Sequence, residues 1–319
     1  MFSVCLCNVM PIYILVTKVT NLFIFGNSAP LFVFLSFFFN TFAIVMDTRS
    51  FISHTLNVGG RLLSLEKPLV MGILNATTES FYEASRALSG ADIVRKARTM
   101  LDEGASILDV GGCSTKPGLA PVREEEEMKR LAVALEAIRR EMPNAILSVD
   151  TFRASVAEHC VKEYGVQIVN DVYGGQVDER MFKTVADLQV PYVLTYDGAP
   201  WNKLMYNLAE RIVRLRLMGV NDVVVDPGFG FGKTLDENYC LMSHLEELHL
   251  LGCPVLVGVS RKSMVYKYLD NTPEDALNGT TVLNTIALMK GTHILRVHDV
   301  KAAVEAVKIM EKLKAASIK

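Results

Sequence analysis

The chain has 319 residues, half of them hydrophobic and 21% charged, which is enough to bury a sizeable core without metals or disulfides. Its 33 Lys and Arg balance 35 Asp and Glu, so there is no electrostatic case for binding nucleic acid or an anionic membrane. The four cysteines beyond residue 45 (Cys113, Cys160, Cys240, Cys253) form no CxxC pair and no zinc spacing, which excludes a zinc module and points to a reducing compartment, the cytoplasm.

Residues 1–45 are a different kind of sequence. They hold nine of the fifteen phenylalanines, one lysine and no acid or arginine. Their most densely apolar stretch, 31–45, falls short of the roughly 20 apolar residues that span a bilayer. A membrane anchor, an unusual signal and translated sequence upstream of a start at Met46 compete. The last fits best, because Met46-Asp-Thr-Arg begins ordinary soluble composition at once. The expected organisation is a hydrophobic extension over 1–45 outside the fold and one domain over 46–319.

Within that domain, short apolar runs at 69–75, 106–110, 145–150, 167–171, 191–195, 222–226, 254–260 and 292–297 predict buried strands. Between them, 90–104, 123–141, 203–219, 237–251 and 300–314 carry apolar residues at helical spacing. Eight strands alternating with helices predict an α/β fold, a (β/α)8 TIM barrel with its chemistry on the C-terminal rim. A doubly wound open sheet is the competing architecture.

Each run ends in polar residues. They are Asn75, Asp109, Asp150, Asn170 with Asp171, Asp226, Ser260-Arg261-Lys262 and Arg296-Val-His298-Asp299. One acid after one strand is as often a helix cap or a satisfied core group. A full ring of them leaves several charges partly buried unless a ligand pairs them. Carboxylates and an amide suit the donor edge of an amino-substituted heterocycle, with Lys262 on its acceptor edge. Arg296 and His298, two apart on one strand, suit a phosphate or pyrophosphate. The run Asp226-Pro-Gly-Phe-Gly-Phe-Gly-Lys233 is not a P-loop, because Pro227 stands where the first glycine is needed. Glu124–Glu127 read as a solvated first turn favoured by the helix dipole. Cys113 reads as a small filler, and His159, His244 and His249 as helix-surface residues.

These motifs together resemble the dihydropteroate synthase family, over about residues 60–315 and in family order. They are Met71-Gly-Ile-Leu-Asn75-Ala-Thr77-Thr-Glu-Ser80-Phe81, Asp109-Val-Gly-Gly-Cys-Ser-Thr115-Lys-Pro117-Gly118, Ser148-Val-Asp150-Thr151, Val169-Asn170-Asp171, the Asp226–Lys233 run, Ser260-Arg261-Lys262-Ser263 and Arg296-Val-His298-Asp299-Val300. The resemblance implies joining of 6-hydroxymethyl-7,8-dihydropterin pyrophosphate to p-aminobenzoate, with Mg²⁺ as cofactor, sulfonamides as inhibitors and a homodimer. It implies that Asp150, Asn170, Asp226 and Lys262 hold the pterin. Asn75, Asp109, Arg296 and His298 would hold the pyrophosphate, with Asn75 on the metal. Phe81, Thr115, Lys116, Pro117, Phe231, Ser260 and Arg261 would form the aminobenzoate pocket, its carboxylate meeting backbone N–H groups at a helix N-terminus. Asn75, Lys262, Arg296 and His298 would carry the catalysis.

The chain departs from the family pattern at Thr78-Glu79, Glu83, Cys113, Lys116 and Thr195-Tyr196. These changes leave open lower turnover, an altered sulfonamide response, or a pterin-binding relative with another acceptor. A methyltetrahydrofolate-type methyltransferase domain is the alternative barrel. It does not need the Ser-Arg-Lys and Arg-Val-His elements.

Overall fold

A computed structural model describes residues 54–76, 86–113, 121–198 and 201–317. The N-terminal extension and its competing readings lie outside the described residues.

The chain enters through a hairpin, Thr55–Val58 (β1) against Arg61–Ser64 (β2), paired antiparallel. Its two turn residues, Gly59 and Gly60, sit at φ 62° and 84°, the left-handed values that such a tight turn requires. This hairpin is absent from the elements expected above, although a Gly-Gly pair between short apolar stretches is its signature.

The alternating units follow. They are Leu69–Asn75 (β3), Arg86–Asp102 (α1), Ile107–Gly111 (β4), Glu124–Glu141 (α2), Leu147–Asp150 (β5), Ala154–Tyr164 (α3), Ile168–Asp171 (β6) and Met181–Leu188 (α4). Next come Tyr192–Thr195 (β7), Trp201–Leu217 (α5), Val223–Asp226 (β8) and Leu235–Ser243 (α6). Leu256–Val257 (β9), Ser263–Tyr266 (α7), Leu277–Met289 (α8), Ile294–Val297 (β10) and Val300–Ser317 (α9) complete the chain. The strands run parallel in the order β8-β7-β6-β5-β4-β3-β10-β9, and a bridge from Val225 to Val255 joins the two ends. That closure makes a barrel rather than an open sheet.

Two expected elements differ. The run 254–260 forms only a two-residue strand, because Pro254 has no N–H to donate and Gly258 adds no side chain to pack. The expected helix 237–251 divides into α6 and a 3₁₀ segment, Leu245–Leu251. There the Ser243 hydroxyl donates to the Cys240 carbonyl at 2.7 Å, and His244 Nδ1 lies 2.8 Å from the same oxygen, which competes with the helical ladder.

Strand residues bury both faces. Val70, Val110, Val149, Val169 and Val225 pack outward against the helices. Met71, Ile107, Ile168, Val193, Val224, Leu256 and Ile294 fill the barrel, joined from below by Leu56, Val58 and Leu65 of the hairpin segment. Each such side chain contributes roughly 1.5–3 kcal/mol by leaving water. Among the described residues, no helix is long and apolar enough to cross a membrane.

Candidate active site

Residues two apart on a strand share a face. Ile107, Ile168, Val193, Val224 and Ile294 fill the barrel interior. Two positions further on, Asp109, Asn170, Thr195, Asp226 and Arg296 therefore face the same interior, nearer the C-terminal rim. Register places Asp150 opposite both Gly111 and Asn170, and Asn75 opposite Gly111. The strand-end acids, amides and arginine expected from sequence are thus brought into one mouth.

Arg296 organises it. Its Nε donates to Asp109 Oδ2 at 2.6 Å and its Nη2 to Asp150 Oδ2 at 2.5 Å. Asn170 Nδ2 donates to the same Asp109 oxygen at 2.8 Å, which leaves the amide oxygen of Asn170 as an acceptor. Asp109 Oδ1, Asp150 Oδ1 and Asn170 Oδ1 are buried without a partner. An unsatisfied buried acceptor costs about 1–3 kcal/mol, so three together call for a ligand that presents N–H groups.

On the far side, Asp226 accepts from the Gly228 backbone N–H at 2.8 Å. Lys262 donates to the Phe229 carbonyl and lies 4.7 Å above the Phe231 ring. Burial raises the Asp226 carboxyl, and the Lys262 ammonium opposes that rise. Burial pulls Lys262 down to about 8, with Asp226 opposing it. Burial also lifts Asp150, to about 7, against the pull of Arg296. Burial alone lowers Arg296, but the Asp109 and Asp150 carboxylates more than reverse it and hold the guanidinium above its ordinary range. The mouth is therefore a poised set of acids and cations in a low-dielectric pocket.

Ser260 and His298 meet at the next strand ends. The His298 backbone N–H donates to Ser260 Oγ at 3.1 Å, and His298 Nδ1 lies 3.1 Å from that oxygen. Arg261 differs from expectation. Its guanidinium grips Asp299 through two bonds of 2.8 and 2.9 Å and donates to the Pro273 and Glu274 carbonyls. Its backbone N–H donates to Thr280 Oγ1 at 3.0 Å, and its φ is 52°. Arg261 therefore locks the turn and presents no cation to the mouth. The expected anion site at the following helix also weakens, since α7 has only four residues and little dipole. Phe81, Thr115, Lys116 and Pro117 lie outside the described residues.

The residues fit a magnesium ion of the kind that keeps most of its waters. Such an ion takes one or two protein oxygens plus phosphate oxygens. Asn75, exposed at the strand end, can supply such an oxygen beside the acidic mouth. Among the described residues, no cluster of three His, Cys, Asp or Glu makes a metal cage.

Two buried groups, Glu127 and Thr195, and two half-buried cations, Arg153 and Lys233, have roles the sequence reading did not assign. Glu127 is fully buried rather than solvated, where it accepts from Thr151 Oγ1 at 2.7 Å and pairs with Arg153. Arg153 in turn donates to the Val122 carbonyl at 2.6 Å. Thr195, next to Asp226 in register, is buried with its hydroxyl unpartnered. Lys233 points to backbone carbonyls, and the side chain of Thr234 caps α6 in a capping box with Glu237.

Comparison with known proteins gives a consistent picture. Residues 71–298 match the family model described as pterin binding enzyme. The chain is 39% identical over 254 residues to the dihydropteroate synthase of Bacillus subtilis, covering 77% of this chain and 88% of that protein. Its fold matches a Xanthomonas albilineans dihydropteroate synthase solved with 4-aminobenzoic acid, with a TM-score of 0.76 and 35% identity over 82% of this chain and 99% of that one. It also matches the Yersinia pestis dihydropteroate synthase solved as a sulfonamide drug complex, with a TM-score of 0.75 and 36% identity, covering 82% of this chain and all of that one.

Proposed function

This chain belongs to the family of pterin binding enzymes, and from that premise we propose that it is a dihydropteroate synthase. It joins 6-hydroxymethyl-7,8-dihydropterin pyrophosphate to p-aminobenzoate, giving 7,8-dihydropteroate and pyrophosphate in folate biosynthesis. The observation that carries the reading is the set of unpartnered buried acceptors on Asp109, Asp150 and Asn170 beside Asp226 and Lys262. They match a flat ring with an amino group and ring N–H on one edge and acceptors on the other.

In the reaction the bond from the pterin methylene carbon to the pyrophosphate oxygen breaks. A bond from that carbon to the amine nitrogen forms, and one N–H proton passes from the amine to solvent as pyrophosphate departs. Asp150, Asn170, Asp226 and Lys262 orient the ring. Arg296, held in place by Asp109 and Asp150, stabilises with His298 and Asn75 the charge that builds on the leaving group. Bound Mg²⁺, held by Asn75, would add neutralisation of the leaving pyrophosphate. Phe231 and Ser260 shape the acceptor side, where a pre-placed amine captures the carbon without a covalent enzyme intermediate. Sulfonamides, as aminobenzoate mimics, would occupy that acceptor side.

Pyrophosphate release by the purified protein with both substrates and Mg²⁺ tests the reading. Release that depends on p-aminobenzoate and stops on chelation is expected. Release without the acceptor, or none at all, overturns it. We place the enzyme in the cytoplasm. We also propose a homodimer, for which the exposed apolar side chains Val282 and Met289 on α8 and Ile309 on the adjacent α9 offer a surface.

A further inference from the structure

Lys233 closes the Pro/Gly-rich loop after β8, and among the described residues its ammonium meets three backbone carbonyls and one ring. Its Nζ donates to the carbonyls of Gly228 at 2.8 Å, of Phe231 at 3.2 Å and of Tyr196 at 3.2 Å, and it lies 5.3 Å from the centre of the Tyr196 ring. Tyr196 follows β7 directly, whereas Gly228 and Phe231 follow β8, so one cation ties two strand ends together.

The approach is close enough to need that tie. Gly228 has a φ of 70°, and a Cβ there would lie 2.0 Å from the Tyr196 carbonyl oxygen, so the two backbones are in direct contact. Converging carbonyl oxygens repel, and an ammonium with three donors among three acceptors offsets this. Burial pulls Lys233 down to about 8, opposed by Asp226, Asp197 and Glu237, so the group remains charged at neutral pH. Phe231 has one further backbone anchor from the loop, its N–H donating to the Gly228 carbonyl at 3.2 Å. Its ring stands under Lys262 on the acceptor side of the mouth.

We infer that Lys233 is a positioning residue for the acceptor substrate: its ammonium ties β7 to the loop after β8 and so fixes the Phe231 ring that p-aminobenzoate packs against. Lys233 does not touch substrate. Asp226, by contrast, is held by the β8 strand itself and by the Gly228 N–H, and Lys233 is the weakest of the charges acting on it, so the pterin side depends less on the tie. The inference rests on the proposed acceptor side of the site.

The test is a double-mutant cycle of K233M and F231L, read as KM for each substrate and kcat, with pterin affinity measured by calorimetry. K233M is expected to raise the KM for p-aminobenzoate about tenfold, with kcat and pterin affinity each within about threefold. Because Lys233 acts through Phe231, adding K233M to F231L should raise that KM no further. K233R keeps the charge, but its planar fork cannot converge on three carbonyls, so its KM should fall between wild type and K233M. It also carries the comparison if K233M folds poorly. An aminobenzoate KM unchanged in K233M, or effects that add in the double variant, would overturn the inference. A wild-type protein that fails to use p-aminobenzoate would instead defeat the proposed function and so is distinguishable.

Discussion

Glu127 is one of four consecutive glutamates opening α2, yet it alone is sealed beneath the rim, bonded to Thr151 and Arg153. Removing it leaves the half-buried Arg153 without its partner. Glu127→Ala should therefore cost about 3–5 kcal/mol in urea unfolding, far more than Ala at its exposed neighbour Glu125. A run of charges in sequence does not show which member faces inward, because that depends on how the helix is rotated against the barrel. The strand-end acids were legible for the opposite reason: in a two-residue period, an acid two places after a core isoleucine or valine must face the barrel. A pH dependence follows from two of the mouth residues. Burial raises Asp150 to about 7 and lowers Lys262 to about 8. Below the first value Asp150 carries a proton and offers a donor to ring donors. Above the second, Lys262 loses the charge that faces the ring acceptors. Affinity for a dihydropterin lacking pyrophosphate should thus be greatest between these values and fall on both sides. Calorimetry across roughly pH 5.5–9.5 would show it, and Asp150→Asn should abolish the acid limb while weakening binding throughout.

At the scale of elements, the β1–β2 hairpin places Leu56 and Val58 under the barrel, with the Asn57 N–H donating to Asp222 Oδ2 at 3.2 Å. Leu56→Ala should cost about 2–5 kcal/mol by leaving a cavity, while kcat and both KM values stay at wild-type levels in the folded protein. Thermal unfolding together with steady-state rates separates those outcomes. The central strands were readable because continuous β-branched runs such as Val223–Asp226 have few other uses. The short closing strand and the divided helix were not, since a proline and a glycine at the edge of β9, and the Ser243-His244 pair beside the Cys240 carbonyl, act through local hydrogen bonding that periodicity ignores. Arg261 belongs to the same class. Its sequence neighbours suggested a ligand, but its partners Asp299, Pro273 and Glu274 come from later elements that only the folded chain brings near.

For the molecule as a whole, the parallel order and the Val225–Val255 bridge settle the barrel over the open sheet, a choice that counting eight strands favoured without deciding. Val282 and Met289, seven residues apart on α8, are exposed on one face. Replacing both by glutamate should convert the proposed dimer to a monomer in sedimentation analysis, since burying unpaired charges in an apolar contact is costly. A sedimentation coefficient unaltered by the pair would remove this face as the contact. The hairpin that stoppers the lower end has an evolutionary consequence. Cohesion resides in the lower layers of Leu56, Met71, Ile107, Val224 and Leu256, while recognition resides above them at the rim. Substitutions that reshape the rim therefore leave these lower layers, and the cohesion they supply, untouched. A lineage carrying this architecture can change its rim one residue at a time, each intermediate still folded.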